Sequence, residues 1–205
     1  FFALRSPSGI VLVDTGLGPG PNGWINGAKG QLMERLQGAG IRPEDVNGVV
    51  ITHFHSDHTG WTLTYQGERP RATFPRAKYY LPKGDWDYFT RPDVLSQSPE
   101  EVKTKVLPLK ELGVMELVGD GYSITPELTV LATPGHTPGH ISVLISSQGE
   151  KGIVVGDLFH GTVQVTEPEW CSGFDMDKPL ARKTRLAILD RLEKEGMTVA
   201  AGHLP

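Results

Sequence analysis

The sequence predicts an α/β fold, and three observations carry that expectation. Short apolar runs bounded by Gly, Pro or polar turns recur along the whole chain, as β-strands do. Segments with helical spacing or helix-start signals fall among them, most clearly over 177–196. Several of the apolar runs are followed by Asp or His, which places reactive groups at rigid strand ends.

In chain order, "FFAL" and "IVLVD" flank "RSPSG" and predict two strands joined by a turn. "TGLGPGPNGWINGAKG" is too rich in Gly and Pro for regular structure and predicts a long loop, a kind of segment that is often functional. Leu32 and Leu36 lie one helical turn apart, and Gly38 and Gly40 end that helix. "VNGVVIT" (46–52) and "AKYYLP" (77–82) are strands, and a short helix follows around "KGDWDYF". "SPEEVKTKV" carries a helix-start signature, with Ser98 as N-cap, Pro99 in the first turn and Glu101 at the capping-box position. "LTVLATP" (128–134), "ISVLISS" (141–147) and "GIVVGD" (152–157) are strands separated by glycine-rich turns. "DKPLARKTRLAILDRLEKEG" is a helix capped by Asp177, with Pro179 in its first turn and Gly196 at its end. Its apolar face holds Leu180, Thr184, Ile188 and Leu192, and "TVAAGH" (198–203) is a last strand.

The composition narrows the function classes. At 205 residues, 38% hydrophobic and 21% charged, the chain suits one globular domain spanning 1–205. A formal net charge of −4 gives no basic footprint for nucleic acid or an anionic membrane surface. Runs such as "GVVIT" and "GIVVG" are far too short to span a bilayer. The single Cys171 excludes an intrachain disulfide and is compatible with a reducing, cytoplasmic setting. The chain opens on Phe1 inside a strand-like run and closes just after another, so short pieces are expected to be missing at both ends. A signal peptide could be among them, which leaves a periplasmic or secreted location open.

The chemistry concentrates in "THFHSDHTGW", where His53, His55, Asp57 and His58 fall within six positions of a chain with seven histidines. Imidazole nitrogen and carboxylate oxygen are zinc ligands. His53 and His55, two apart, can face one side of an extended segment, while Asp57 and His58 aim differently from the next turn. One stretch therefore offers ligands for two neighbouring ions, and His136, Asp157 and His203, each following a strand, can complete them. A carboxylate suits the position between two cations, and Asp157 is the candidate bridge. His140 reads as a brace of the "PGHTPGH" loop, and the isolated Cys171 as no ligand.

The motifs "LVDTG" with Asp14, "THFHSDHTG", "TPGHTPGHIS" with His136, "VVGDLFH" with Asp157 and "AGHLP" with His203 run in order over nearly the whole chain. In this series the chain resembles the metallo-β-lactamase superfamily of hydrolases. The resemblance implies a four-layer αβ/βα sandwich, two mixed sheets with helices outside. It implies two divalent ions, with zinc expected and iron or manganese also suited to the ligands. His53, His55 and His136 would bind the first, Asp57, His58 and His203 the second, Asp157 would bridge, and Asp14 would steady the histidine loop.

"TPGHTPGHIS" and "GDLFH" are most similar to the branch of acyl-homoserine lactone lactonases and methyl parathion hydrolase. Those lactonases usually carry a tyrosine three residues after the bridging aspartate, where this chain has His160, as in the organophosphate-hydrolase pattern. The function expected is hydrolysis of a lactone, ester or phosphotriester by a metal-bridging hydroxide, with Asp57 and His160 as catalytic residues. The competing expectations are an iron-dependent oxidoreductase of the same fold and a β-lactam or thioester hydrolase. Asp157 argues against β-lactams, because β-lactamases of this fold generally lack that carboxylate. Trp24, Trp61 and Trp170 are candidate pocket residues, with Trp86 and Phe89 divided between pocket and core. The partner is a small molecule, with no nucleic acid or membrane, and a homodimer is compatible with the chain.

Overall fold

In a computed structural model the chain is described over residues 1–20, 27–98 and 100–203. It divides into two compact units. The first comprises Phe1–Leu81 and Phe89–Leu117, the second Pro82–Tyr88 and Val118–Pro205.

The first unit is built on a five-stranded mixed sheet. Strands β1 (Phe2–Ser6) and β2 (Gly9–Val13) form an antiparallel hairpin with Phe2 opposite Val13 and Ser6 opposite Gly9. Helix α1 (Leu32–Gly38) buries Leu32 and Leu36 as their spacing predicts. It runs through Gly38, and Gly40, at φ 68°, ends it. The Ile41 amide then reaches back to the Leu36 carbonyl at 2.9 Å, a left-handed helix stop that glycine adopts without steric cost.

Strand β3 (Val46–Val50) lies parallel to β2, and the short helix α2 (Ser56–Thr59) follows three residues beyond His53. Strands β4 (Leu63–Gln66) and β5 (Arg69–Ala72) form a separate hairpin, and β6 (Lys78–Pro82) pairs in parallel with β3. The main sheet runs β1-β2-β3-β6-β7, with β7 formed by Met115–Val118. Val11, Leu12, Val13, Val49, Val50, Tyr79 and Leu81 are buried, so the central strands read as continuous apolar runs, as strands covered on both faces do.

The second unit begins with helix α3 (Lys83–Phe89), while α4 (Pro92–Leu95) and α5 (Pro108–Glu111) belong to the first. The helix expected to start at Ser98 takes another form. The Ser98 hydroxyl donates to the Val94 carbonyl at 3.0 Å, back into the preceding turn, and Val102–Val106 follow as a wide π-turn. Pro99 lies outside the described residues.

A second mixed sheet runs β12-β11-β10-β9-β8, built from β8 (Ser123–Thr125), β9 (Leu128–Ala132), β10 (Ile141–Ser147), β11 (Glu150–Val154) and β12 (Thr198–Ala200). Its pairings are antiparallel except β11 with β12. After the short helix α6 (Val163–Thr166) comes α7 (Lys178–Glu195). Asp177 caps it by accepting from the Leu180 amide, and Gly196 ends it in the left-handed region. Ile188 packs with Ile153, Val155, Leu158 and Phe159, with Leu192 alongside, which seats the helix on this sheet. The buried face also contains Ala181 and Arg185. No helix among the described residues is long and apolar enough to cross a membrane.

Candidate metal centre

In the first unit the sheet delivers the histidine loop. Parallel pairing of β2 with β3 brings the end of one strand beside the end of the other, and the Asp14 amide donates to the Val50 carbonyl at 2.7 Å. Asp14 adopts φ 61°, which turns its buried carboxylate back over the loop. One oxygen accepts from the Thr52 amide (2.8 Å), the other from the Thr52 hydroxyl (2.9 Å) and His58 Nδ1 (2.7 Å). Because the Thr52 proton goes to Asp14, the 3.0 Å contact between Thr52 and His53 Nδ1 is donated by the ring.

His53 and His58 therefore both carry the proton on Nδ1, and each keeps an Nε2 lone pair. His53 Nε2 stands 3.0 Å from His55 Nδ1, near the ~3.3 Å edge of a tetrahedral site with metal–nitrogen bonds of about 2.0–2.1 Å. Asp57, on α2 and about one-third exposed, reaches within 3.5 Å of His58 Nε2.

The second unit gathers its groups around one carboxylate. Gly156 at φ 57° bends the chain after β11 into a 3-10 turn, Gly156–Leu158, that carries Asp157. Asp157 Oδ2 lies 3.5 Å from His136 Nε2, 3.3 Å from His160 Nε2 and 3.3 Å from His203 Nε2. The His160 ring stacks on that of His203 and tilts against that of His136. His136 Nδ1 donates to Asp175 at 3.0 Å, which turns Nε2 toward Asp157. His140, fully buried, accepts the Asp157 amide on Nε2 (3.0 Å) and uses Nδ1 on Thr133. With both nitrogens committed it braces Asp157 as a neutral ring and is no ligand.

Sequence reasoning missed the groups that hold these residues. Buried Asp85, on α3, accepts from the Thr137 hydroxyl (2.9 Å) and the Gly139 amide (2.7 Å), fixing the loop that carries His136. Gly84 packs so closely on Gly139 that a Cβ on Gly84 would stand 2.7 Å from the Gly139 Cα. Asp175 also accepts the Ser172 amide at 2.9 Å. Burial alone would raise its pKa, but the hydrogen bonds from His136 and the Ser172 amide and the electrostatic influence of the His136 and His160 rings outweigh that and hold it below its ordinary value. His136, His160 and Asp175 offer ligand atoms within 4.8 Å of one another, but Asp175 meets the Nδ1 side of His136, so it acts as support. The Gln164 side chain accepts from the His160 amide and donates to the Trp170 carbonyl. None of these four has a local sequence signature.

Of the pocket candidates, Trp24 lies outside the described residues. Trp61 is half-buried, and among the described residues its indole N–H has no hydrogen-bond acceptor. Trp170 is 60% exposed and Trp86 half-buried. Phe89 is buried against Phe54, which gives it a core role. Cys171 is half-exposed, its thiol directed at the carbonyls of Lys178 and Glu169.

The donors form a chemically consistent set. The candidates are nitrogen and carboxylate oxygen without sulfur, mostly buried, and three of the histidines, His53, His58 and His136, are anchored through Nδ1, which suits a borderline divalent ion such as zinc. Comparison with known proteins agrees. Residues 2–203 match the family model of the metallo-beta-lactamase superfamily, and the chain belongs to that superfamily. An N-acyl homoserine lactonase of Bacillus sp. is 28% identical over 218 residues, covering 98% of this chain and 79% of the relative.

Among solved structures, hydrolase AbOPH of the beta lactamase superfamily superposes with a TM-score of 0.83 at 28% identity, covering 99% of this chain and 71% of that one. AidC, a dizinc quorum-quenching lactonase, gives 0.82 at 24% identity over 99% of this chain and 71% of its own, a likeness of fold. The chain thus has the α/β metallo-β-lactamase fold, with mixed sheets and helices, and is a metal-dependent hydrolase whose homologues include lactonases. It carries His/Asp clusters of metal-binding type.

Proposed function

We propose that the chain hydrolyses a small lactone or related ester with a pair of divalent ions, zinc by preference. His53, His55 and His136 would hold one ion, Asp57, His58 and His203 the other, and Asp157 would lie between them. The observation that carries this reading is the shared arrangement of His53, His58 and His136. Each gives its Nδ1 proton to a neighbouring side chain, Thr52, Asp14 or Asp175, and so turns Nε2 toward the other candidate ligands. An ion pair of this kind supplies Lewis acidity and lowers the pKa of water from 15.7 to about 7.

The chain's own residues would do the rest. Asp57, the more exposed of the two carboxylates, can carry a proton to the leaving oxygen. His160, 3.3 Å from Asp157 and partly exposed, can donate a hydrogen bond to oxygen charge that develops on the substrate. The Bacillus relative named as an N-acyl homoserine lactonase supports lactones as the first class to test. His160, standing where lactonases usually carry tyrosine, supports aryl esters and phosphotriesters as the second.

The deciding experiment pairs elemental analysis of protein purified without added metal with a panel of lactones, aryl esters and phosphotriesters. Two equivalents of metal and turnover of at least one class are expected. One equivalent at saturation, with Asp57 and His203 unprotected, would remove the dinuclear reading.

A further inference from the structure

Arg185 lies in the middle of α7, in a stretch, "ARKTRLAIL", where a cation ordinarily faces solvent. It is instead 1% exposed. Its Nε donates to the Leu158 carbonyl (3.0 Å), and Nη1 to the carbonyls of Pro168 (2.9 Å) and Trp170 (3.0 Å). Nη2 approaches the Asp175 carboxylate at 3.4 Å. Four of five guanidinium hydrogens are thereby directed at one stretch, 158–175, irregular apart from the short α6, that also contains His160.

Removing a cation from water is costly, and a helix of this length needs none at its centre. The geometry accounts for it. Asp175 is the acceptor that fixes the His136 ring, and both Asp175 and Arg185 are withdrawn from solvent, so the position of that carboxylate depends on the protein groups around it. The planar fork of arginine can meet three carbonyls and a carboxylate in a fixed frame, as a lysine ammonium on a flexible stem cannot.

We propose that Arg185 is a positioning residue for His136. It holds the 158–175 segment and the Asp175 carboxylate in register, so that Asp175 keeps the Nδ1 proton of His136 and aims Nε2 at the metal side. The role is one step removed from the reaction, since Arg185 acts through Asp175. Its zinc readout rests on the dinuclear reading above; its ring readout does not.

The test compares wild type with Arg185→Lys, Asp175→Asn and the double variant, using Arg182→Lys as control. Arg182 lies on the same helix, about half exposed, paired with Glu169. In metal-free protein, NMR should show the His136 Nδ1 proton as a slowly exchanging imidazole resonance in wild type and Arg182→Lys. It should be broadened or lost in Arg185→Lys. Zinc titration should show affinity for one of the two ions weakened roughly 10–100-fold in Arg185→Lys and in Asp175→Asn. The double variant should be little worse than either alone, because the two residues act in series.

A folded Arg185→Lys with the wild-type His136 resonance and zinc affinity overturns the proposal, even with a lowered melting temperature, since that is what a merely structural role gives. Should Arg185→Lys not fold, wild-type zinc affinity in Asp175→Asn overturns it equally. Wild-type protein that binds fewer than two zinc ions counts against the dinuclear reading alone, because the ring resonance is read before any metal is added.

Discussion

His58 and His136 both give their Nδ1 proton to a buried carboxylate, but the two carboxylates reach them by different routes. Asp14 is carried there by regular structure. It ends β2, beside the end of β3, and three bonds from Thr52 and His58 hold it. Asp175 stands in an irregular stretch and depends on Arg185 from α7 and on the Ser172 amide. The first support is a consequence of strand register; the second is assembled from residues far apart in sequence. Where register sets the geometry, a single change leaves most of the frame standing. Where long-range contacts set it, one change can release several groups together.

The comparison breaks most severely at Asp157, around which the second region is gathered. Asp157→Ala removes the one oxygen that His136, His160 and His203 all approach, and should lose at least one ion. Since even outer-shell changes cost roughly 10–100-fold, activity should fall by at least about 100-fold. Elemental analysis showing both ions retained at normal turnover would overturn the bridging role.

Next comes His160, which separates contact with substrate from support. His160→Ala should lower kcat on the order of 10²-fold with metal content intact, unequally between substrate classes. Activity restored by excess zinc would make it a brace of Asp157 instead. His160→Tyr should raise lactone hydrolysis relative to phosphotriester hydrolysis.

Asp14→Ala sharpens the contrast between the supports. It strands the Thr52 amide and hydroxyl and the His58 ring, at about 1–3 kcal/mol for each buried group left unsatisfied. Denaturant melts should show that loss together with weaker zinc binding, while the His136 ring resonance stays as in wild type. A change in that resonance would mean the two supports are not independent. The smallest effect belongs to Cys171→Ser, within the irregular stretch: metal content and turnover should match wild type, and loss of bound metal would show that the thiol matters.

The same contrast explains what could be read from sequence. The histidine loop was legible because its donors are contiguous and follow a buried strand. Helix α7 was legible because Asp177, Pro179 and Gly196 mark its ends locally. Arg185, one position from the predicted face residue Thr184, carried no signal, since nothing nearby in sequence announces three carbonyls and a carboxylate around it. Asp85 fell inside a stretch read only as a short helix, and its partners Thr137 and Gly139 lie more than fifty residues away. The hairpin β4–β5 was missed because Pro70 argues against a strand, yet Pro70 sits opposite Tyr65 in a two-stranded ribbon, where every strand is an edge. The turn after Val94 displaced the expected Ser98 cap because the hydroxyl found an acceptor behind it.

The left-handed backbone of Asp14 has a consequence for anyone who would engineer this chain. A residue with a Cβ held at φ 61° costs on the order of 1–3 kcal/mol, which glycine would recover. A redesign guided by backbone preference alone would therefore choose Asp14→Gly, and would delete the acceptor of three hydrogen bonds in doing so. The three buried groups stranded, at about 1–3 kcal/mol each, outweigh the strain recovered, so Asp14→Gly should lower the melting temperature and metal binding together, and a screen for melting temperature would keep the aspartate.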